Sequence, residues 1–169
     1  MMKTSLFKSK NFYLLLTSFC LFLYTFIFPL KTNAEIADTE INGELIQASS
    51  QFLRDLDYET WQLVAYKSPN DNGKLLLRVI GYPGSLRIDH PLDLRVESGR
   101  KVWFLEDKTT SNQTLASDSR QAAAEFDLEL LVSDISKNRP LRLSLDGVFS
   151  ELPVPPFLVK EWRVLRTQS

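Results

Sequence analysis

Sulfur and imidazole are nearly missing from this chain, whose 169 residues include one Cys, two Met and one His. Zinc and copper centres draw on several thiolates or imidazoles, so a protein built around such a metal is excluded. A lone thiol also excludes a disulfide-stapled scaffold. Glycine is sparse, with six residues, and none of them builds a phosphate-cradling loop, so nucleotide chemistry has no support. Neither charge is in excess, 20 Lys and Arg standing against 21 Asp and Glu, and no concentrated basic stretch marks a nucleic-acid binder. The acids are spread along the chain without an EF-hand loop, which leaves a calcium site unsupported. Neither a repeat with a period of about 20 to 50 residues nor a low-complexity tract is present, and this excludes an array. What is there, 44% hydrophobic and 11% aromatic residues, is the composition of one small globular unit rather than of a disordered chain.

The first residues say where that unit goes. Met1 to Asn11 carry Lys3, Lys8 and Lys10 and no acid, Phe12 to Leu30 is almost wholly apolar, and Pro29 leads to the small-residue stretch Thr32-Asn33-Ala34. This is the order of a secretory signal peptide, and the processing region after Pro29 favours a cut after Ala34 over the alternative, a permanent N-terminal membrane anchor. Cys20 lies inside the apolar run without small residues before it, so it does not fit a lipidated N-terminus. Removing residues 1–34 takes four basic side chains and no acid, leaving 135 residues with 16 basic against 21 acidic groups, a net charge of −5. It also removes the Cys and both Met, which suits an oxidising compartment, since sulfur side chains are the easiest to oxidise.

Within the exported part, Ile41, Leu45, Ala48, Phe52, Leu53 and Leu56 recur near a 3.6-residue period and predict an amphipathic helical segment over residues 35–57. After Tyr58 the period shifts towards two and a β-rich domain over residues 58–169 is expected. Thr60–Lys67 and Lys74–Tyr82 flank the turn-forming run Ser68 to Gly73 as a hairpin, Pro83-Gly84 leads to a strand over Leu86–Asp89, and Ser98-Gly99 separates Leu92–Glu97 from Lys101–Asp107. Lys108 to Arg120 is polar and reads as an exposed loop. Ala124–Leu131 alternates as a strand, with Glu125, Asp127 and Glu129 on a solvated face, and Leu130 to Ile135 turns helical. Leu141, Leu143 and Leu145 alternate towards the tight turn Asp146-Gly147 and a strand over Val148–Leu152, and the tail Phe157–Leu165 fits either a strand or a helix started by Pro156. The fold class that follows is mainly β, an antiparallel meander forming a sandwich or partly open barrel, with an N-terminal amphipathic helix against it.

The distinctive pattern is a repeated triplet, Leu77-Arg78-Val79, Leu86-Arg87-Ile88, Leu94-Arg95-Val96 and Leu141-Arg142-Leu143. On a strand the two apolar neighbours point one way and the arginine the other. If their strands are adjacent, Arg78, Arg87 and Arg95 form a cationic stripe suited to an acidic partner or to lipid headgroups; the alternative is ordinary cross-strand pairing with acids such as Glu97 and Glu106. Pro153, Pro155 and Pro156 force an extended segment, either presented to a partner or shielding a sheet edge. His90, in Asp89-His90-Pro91, is the one candidate general base, yet no Gly-x-Ser-x-Gly elbow presents a serine to it, and a turn histidine bonded to backbone is the plainer reading. Trp61, Trp103 and Trp162 with Phe104, Phe126, Phe149 and Phe157 form either the core or the lining of an apolar pocket.

The stretches Leu53 to Tyr66, Leu86-Arg87-Ile88-Asp89-His90-Pro91 and Glu151-Leu152-Pro153-Val154-Pro155-Pro156 resemble a family of small exported cyanobacterial proteins of unknown function, over about Leu53 to Leu165. The resemblance implies residence in the periplasm or the thylakoid lumen and carries no catalytic residue with it. The expectation is a non-enzymatic exported module, without metal or cofactor, that binds a protein partner at or near a membrane. Its expected contact residues are Arg78, Arg87, Arg95, Arg142, Pro153, Pro155 and Pro156. The alternatives are a carrier of a small apolar ligand in a barrel-like cavity and, third, a hydrolase using His90.

Overall fold

The structure, a computed structural model, describes residues 36–69, 71–82, 88–117 and 122–168, so the signal-peptide reading of residues 1–34 lies outside it. Turn chemistry sets the first element. Asn42 and Gly43 both hold positive φ, 54° and 86°, the left-handed pair that joins strands in a two-residue hairpin and that no helix accommodates. β1 (Ile36–Ile41) and β2 (Glu44–Arg54) therefore pair antiparallel across this turn, with Ile41 opposite Glu44. The helical reading of residues 35–57 is thus corrected over the described residues: they form a β-hairpin. The near-helical spacing is overridden by pairing of β2 with β3 (Thr60–Lys67), where Phe52 faces Gln62.

β3 and β4 (Leu75–Ile80) form the expected hairpin, closed by Ser68 N–H to Lys74 O at 2.9 Å. The chain then leaves this sheet. β5 (Leu94–Ser98) and β6 (Lys101–Leu105) turn about Gly99, φ 62°, and pair with each other in a second sheet. Ile88 and Asp89 lie in no strand, and the rest of the strand expected over Leu86–Asp89 is outside the described residues. Residues 106–108 cross back to run beside β7 (Ala123–Asp127), through Asp127 N–H to Glu106 O at 3.0 Å and Lys108 N–H to Glu125 O at 2.7 Å. The polar stretch after Lys108 is not all loop, since it holds a 3-10 turn, Thr109–Ser111, and a short helix α1 (Gln113–Ser117). α2 (Glu129–Asp134) follows β7, then β8 (Leu141–Leu145) and β9 (Phe149–Val154), joined by the expected Asp146-Gly147 turn. α3 (Pro156–Thr167) closes the order with Pro156 in its first turn, where a missing N–H costs nothing.

Among the described residues the strands form two sheets, β1-β2-β3-β4-β7 and β6-β5-β8-β9. The mainly antiparallel β class expected from the alternation is what the chain adopts. The inner faces of both sheets share one core, to which β3 and β4 give Leu63, Leu75, Leu77 and Val79, and β5 and β8 give Leu94, Val96, Leu141 and Leu143. α3 seals it with a buried stripe of Leu158, Val159, Trp162 and Leu165, the spacing of one helix face. Ser49 of β2 donates to Glu161 of α3, tying the start of the fold to its last helix. Trp61, Phe126, Phe149 and Trp162 are all core residues. Pro153 sits on β9, an edge strand of the second sheet, where the lack of an N–H breaks no ladder.

Candidate functional site

The outer face of the second sheet is built by alternation. Leu94, Val96, Leu141 and Leu143 turn into the core, so Arg95, Glu97 and Arg142 turn out. The register then places Phe104 opposite Arg95 and Val102 opposite Glu97 on one side, with Ser144 beside Arg95 and Arg142 beside Glu97 on the other. Pro153 continues the row past Arg142. Phe104 is 64% exposed and Val102 45% exposed, two apolar side chains held in a frame of charge. The arginines are already answered by acids: Arg95 pairs with Glu97, and Arg142 Nε lies 3.3 Å from Glu151. Such exposed pairs add little stability. They do leave the face mixed in charge rather than cationic. Beside Phe104 a shallow groove of about 600 Å³ runs past Asp57, Asp93 and Arg95 to the β8–β9 turn. Pro155 is half-buried and Pro156 starts α3, so of the three prolines Pro153 is the one placed on this face.

Arg78 does not join them. It lies on β4 of the first sheet, only 9% exposed, and Arg87 lies outside the described residues, so the expected stripe of Arg78, Arg87 and Arg95 is not formed. Alternation fixes which face a side chain takes but not which sheet its strand joins, and the chain changes sheets between β4 and β5.

What Arg78 meets is a buried polar cluster on the face of the first sheet turned away from the main core. Its cross-strand neighbours are Val64 and Glu125. Arg78 Nε and Nη2 donate to Glu125 Oε1 at 3.1 and 3.0 Å, and Nη2 also reaches the Tyr66 hydroxyl at 3.0 Å and Asn42 Oδ1 at 3.2 Å. Tyr66 donates its hydroxyl to the same Glu125 oxygen, and Asn112 Nδ2 donates to the other at 3.1 Å. Asn42 belongs to the β1–β2 turn, so its contact with β4 shows that the sheet curls over this face. Ile41, Ala48, Val64 and Leu76 fill the space around the cluster. Burial, followed by the charge and hydrogen bond of Glu125, pushes the Tyr66 phenol well above its ordinary pKa. Glu125 is 2% exposed, which corrects the solvated face expected for Glu125, Asp127 and Glu129. The other two acids are used locally: Asp127 Oδ1 accepts from Glu129 N–H at 2.9 Å, and Glu129 pairs with Arg166 at 2.6 Å. One sequence feature does point to a buried Arg78: the apolar run Leu75 to Ile80 has no alternation, the mark of a strand covered on both faces, where a charge must have a partner.

A cavity of about 630 Å³ opens above this cluster, floored by Tyr66, Leu76 and Glu125. Three connections wall it: the β1–β2 turn, the β3–β4 turn and the segment from Lys108 to Thr114.

His90 makes a different bond from the backbone contact expected of it. Its Nδ1 lies 2.6 Å from Asp107 Oδ2, which also accepts from Leu92 N–H at 2.9 Å, while Asp107 Oδ1 accepts from Thr109 N–H at 2.8 Å. Burial alone would raise the Asp107 carboxyl, but the bonds from Thr109, His90 and Leu92 together outweigh it and hold its pKa below the ordinary aspartate value. Thr109 Oγ1 in turn accepts from Glu125 N–H at 2.9 Å, so one hydrogen-bonded path joins this corner to the buried cluster. An imidazole oriented by a carboxylate is two thirds of a nucleophilic triad. Among the described residues no hydroxyl bonds to His90.

Among the described residues no group of three His, Cys, Asp or Glu side chains is placed to hold a metal ion. A family model described as "Protein of unknown function (DUF3122)" matches residues 34–165. No curated protein and no solved structure matches the chain.

Proposed function

We propose, for a chain that belongs to the DUF3122 family of proteins of unknown function, a non-catalytic module that is exported and docks a protein partner at or beside a membrane. The observation that carries this reading is the pair Phe104 and Val102, adjacent in register on the outer face of the second sheet and both exposed. Single exposed apolar residues are ordinary on any surface. Here the two stand within a frame of Arg95, Arg142 and Pro153, and aromatic and arginine side chains are the residues that anchor protein interfaces. Because Arg95 and Arg142 are matched by Glu97 and Glu151, the face lacks the uncompensated charge that anionic lipid headgroups select, and this favours a protein surface over the bilayer itself. Export rests on Lys3, Lys8 and Lys10 before the apolar run Phe12 to Leu30 and on the small residues ending at Ala34.

The test is a cross-linked pull-down from the protein's own host with wild type and Phe104→Asp, alongside melting curves. A stoichiometric partner held by wild type and lost by Phe104→Asp at unchanged melting temperature supports the reading. A partner captured equally by both ends it. Sequencing of the mature N-terminus is expected to begin at Glu35. The cavity above Glu125 favours a second reading, a small-ligand carrier. A hydrolase using His90 would require a serine-directed probe to label wild type but not His90→Ala.

A further inference from the structure

We infer that the cavity over the curled face of the first sheet is a binding site for a small, uncharged, polyhydroxylated molecule, of the chemistry of a mono- or disaccharide. Its volume of about 630 Å³ lies within the range of roughly 300–1,000 Å³ in which small-molecule sites fall. Its chemistry differs from the usual apolar pocket. Asn112 is held by Glu125 and by the N–H groups of Thr114 and Leu115, so the walls present the Nδ2 group of Asn42, the amide of Gln113 and the hydroxyls of Ser68, Ser111 and Thr114, and such groups match a ligand rich in hydroxyls, each able to donate and accept. An apolar ligand would strip water from these amides and hydroxyls without replacing its hydrogen bonds. Ile41, Ile46, Pro69 and Leu76 provide apolar surface for the C–H faces that a sugar also carries.

Charge narrows the class further. Both lining cations are already paired, Lys74 with Asp71 at 3.5 Å and Lys108 with Glu106 at 2.6 Å, so an anion would meet no free positive charge and would face Glu44 and Asp71. A cation is also poorly served, because Glu125 is engaged by Arg78, Tyr66 and Asn112 and Asp71 by Lys74, which leaves it only the single exposed carboxylate of Glu44. Among the described residues no buried side-chain polar atom lacks a hydrogen-bond partner, so the floor is fixed before any ligand arrives. Pre-organisation of this kind keeps the ordering cost of binding low.

Titration of the isotope-labelled protein with maltose, followed by amide NMR, tests the site, with citrate as the anionic control and dodecanoate as the apolar one. The expected result is saturable shifts at the Asn42 and Asn112 side-chain amides and over Ser111 to Thr114. Gln113→Trp, an exposed change that fills the mouth, is expected to weaken binding by at least about tenfold at unchanged melting temperature. Thr114→Trp serves in its place if that variant folds poorly. Phe104→Asp is expected to leave maltose binding intact, which separates this site from the docking face. No saturation with maltose, saturation by citrate or dodecanoate instead, or wild-type affinity in both tryptophan variants would overturn the proposal.

Discussion

Removing one partner of the Arg78–Glu125 pair should be far more damaging than removing both. The side chains are 11% and 3% exposed, so solvent screens the surviving charge very little. Glu125→Gln keeps the shape of the carboxylate but leaves the guanidinium buried without a counter-charge, and Arg78→Met strands the carboxylate in the same way. Each single change should cost about 3–5 kcal/mol, a large share of the roughly 5–15 kcal/mol that holds such a domain together. In melting temperature that is a fall of roughly 10–20 °C. In the double variant Arg78→Met, Glu125→Gln both charges leave together, and the cost should fall below that of either single change. Tyr66→Phe, which removes the hydroxyl that donates to Glu125 and accepts from Arg78 but leaves both charges paired, should cost less than either single, about 1–2 kcal/mol. Urea unfolding followed by tryptophan fluorescence reads all four variants, with the slope of each transition checked to confirm that the same surface is exposed. Single variants that lose less than about 1 kcal/mol, or costs that simply add in the double, would show that water reaches the pair and that the curled face is open.

Asp107 has a folded-state pKa below its ordinary value, so the stability it contributes is fully present above that ordinary value and is lost as pH falls through the folded one. The fall in urea midpoint between about pH 6 and pH 3 should accordingly be smaller in Asp107→Asn than in wild type, and an identical fall would show that other carboxylates govern acid unfolding. Gly81→Ala places a methyl 2.7 Å from the Trp61 ring, whose Nε1–H is bonded to Asp55 at 2.8 Å and cannot swing clear; a loss of about 1–3 kcal/mol is expected from calorimetry. Asp55→Ala removes the acceptor of Asp57 N–H, Glu59 N–H and Trp61 Nε1–H together, which should cost about 2–4 kcal/mol and shift the Trp61 emission; an unaltered spectrum would contradict the Trp61 bond.

Most strands after Tyr58 are legible in the sequence because each carries a local signal: alternating leucines in Leu141–Leu145, the Asp146-Gly147 turn, and Gly99 between β5 and β6. For α3 the sequence leaves strand and helix open over Phe157–Leu165, with Pro156 suited to a first helical turn, and the buried stripe of Leu158, Val159, Trp162 and Leu165 decides for the helix. The hairpin at the start of the fold is where two local signals conflict. Ile41, Leu45, Ala48 and Phe52 fall near a helical period, while Asn42-Gly43 between them demands a turn, and pairing with β3 decides in favour of the turn. Partner choice has no local signal at all. Arg78 and Glu125 are 47 residues apart, and the charge alternation around Glu125 describes a surface strand until the curled sheet covers it. The Phe104 face needs both registers, that of β5 with β6 and that of β5 with β8, before its residues come together.

The bond between Ser49 and Glu161 spans 112 positions, and Trp162 beside it is one of the largest wholly buried side chains. Contacts so distant along the chain form late, because a long loop must close before they yield anything. A polypeptide still emerging from a ribosome, short of Trp162, therefore lacks the wedge that locks its hairpins. Resistance to protease during synthesis should arrive in a single step as that last helix clears the exit.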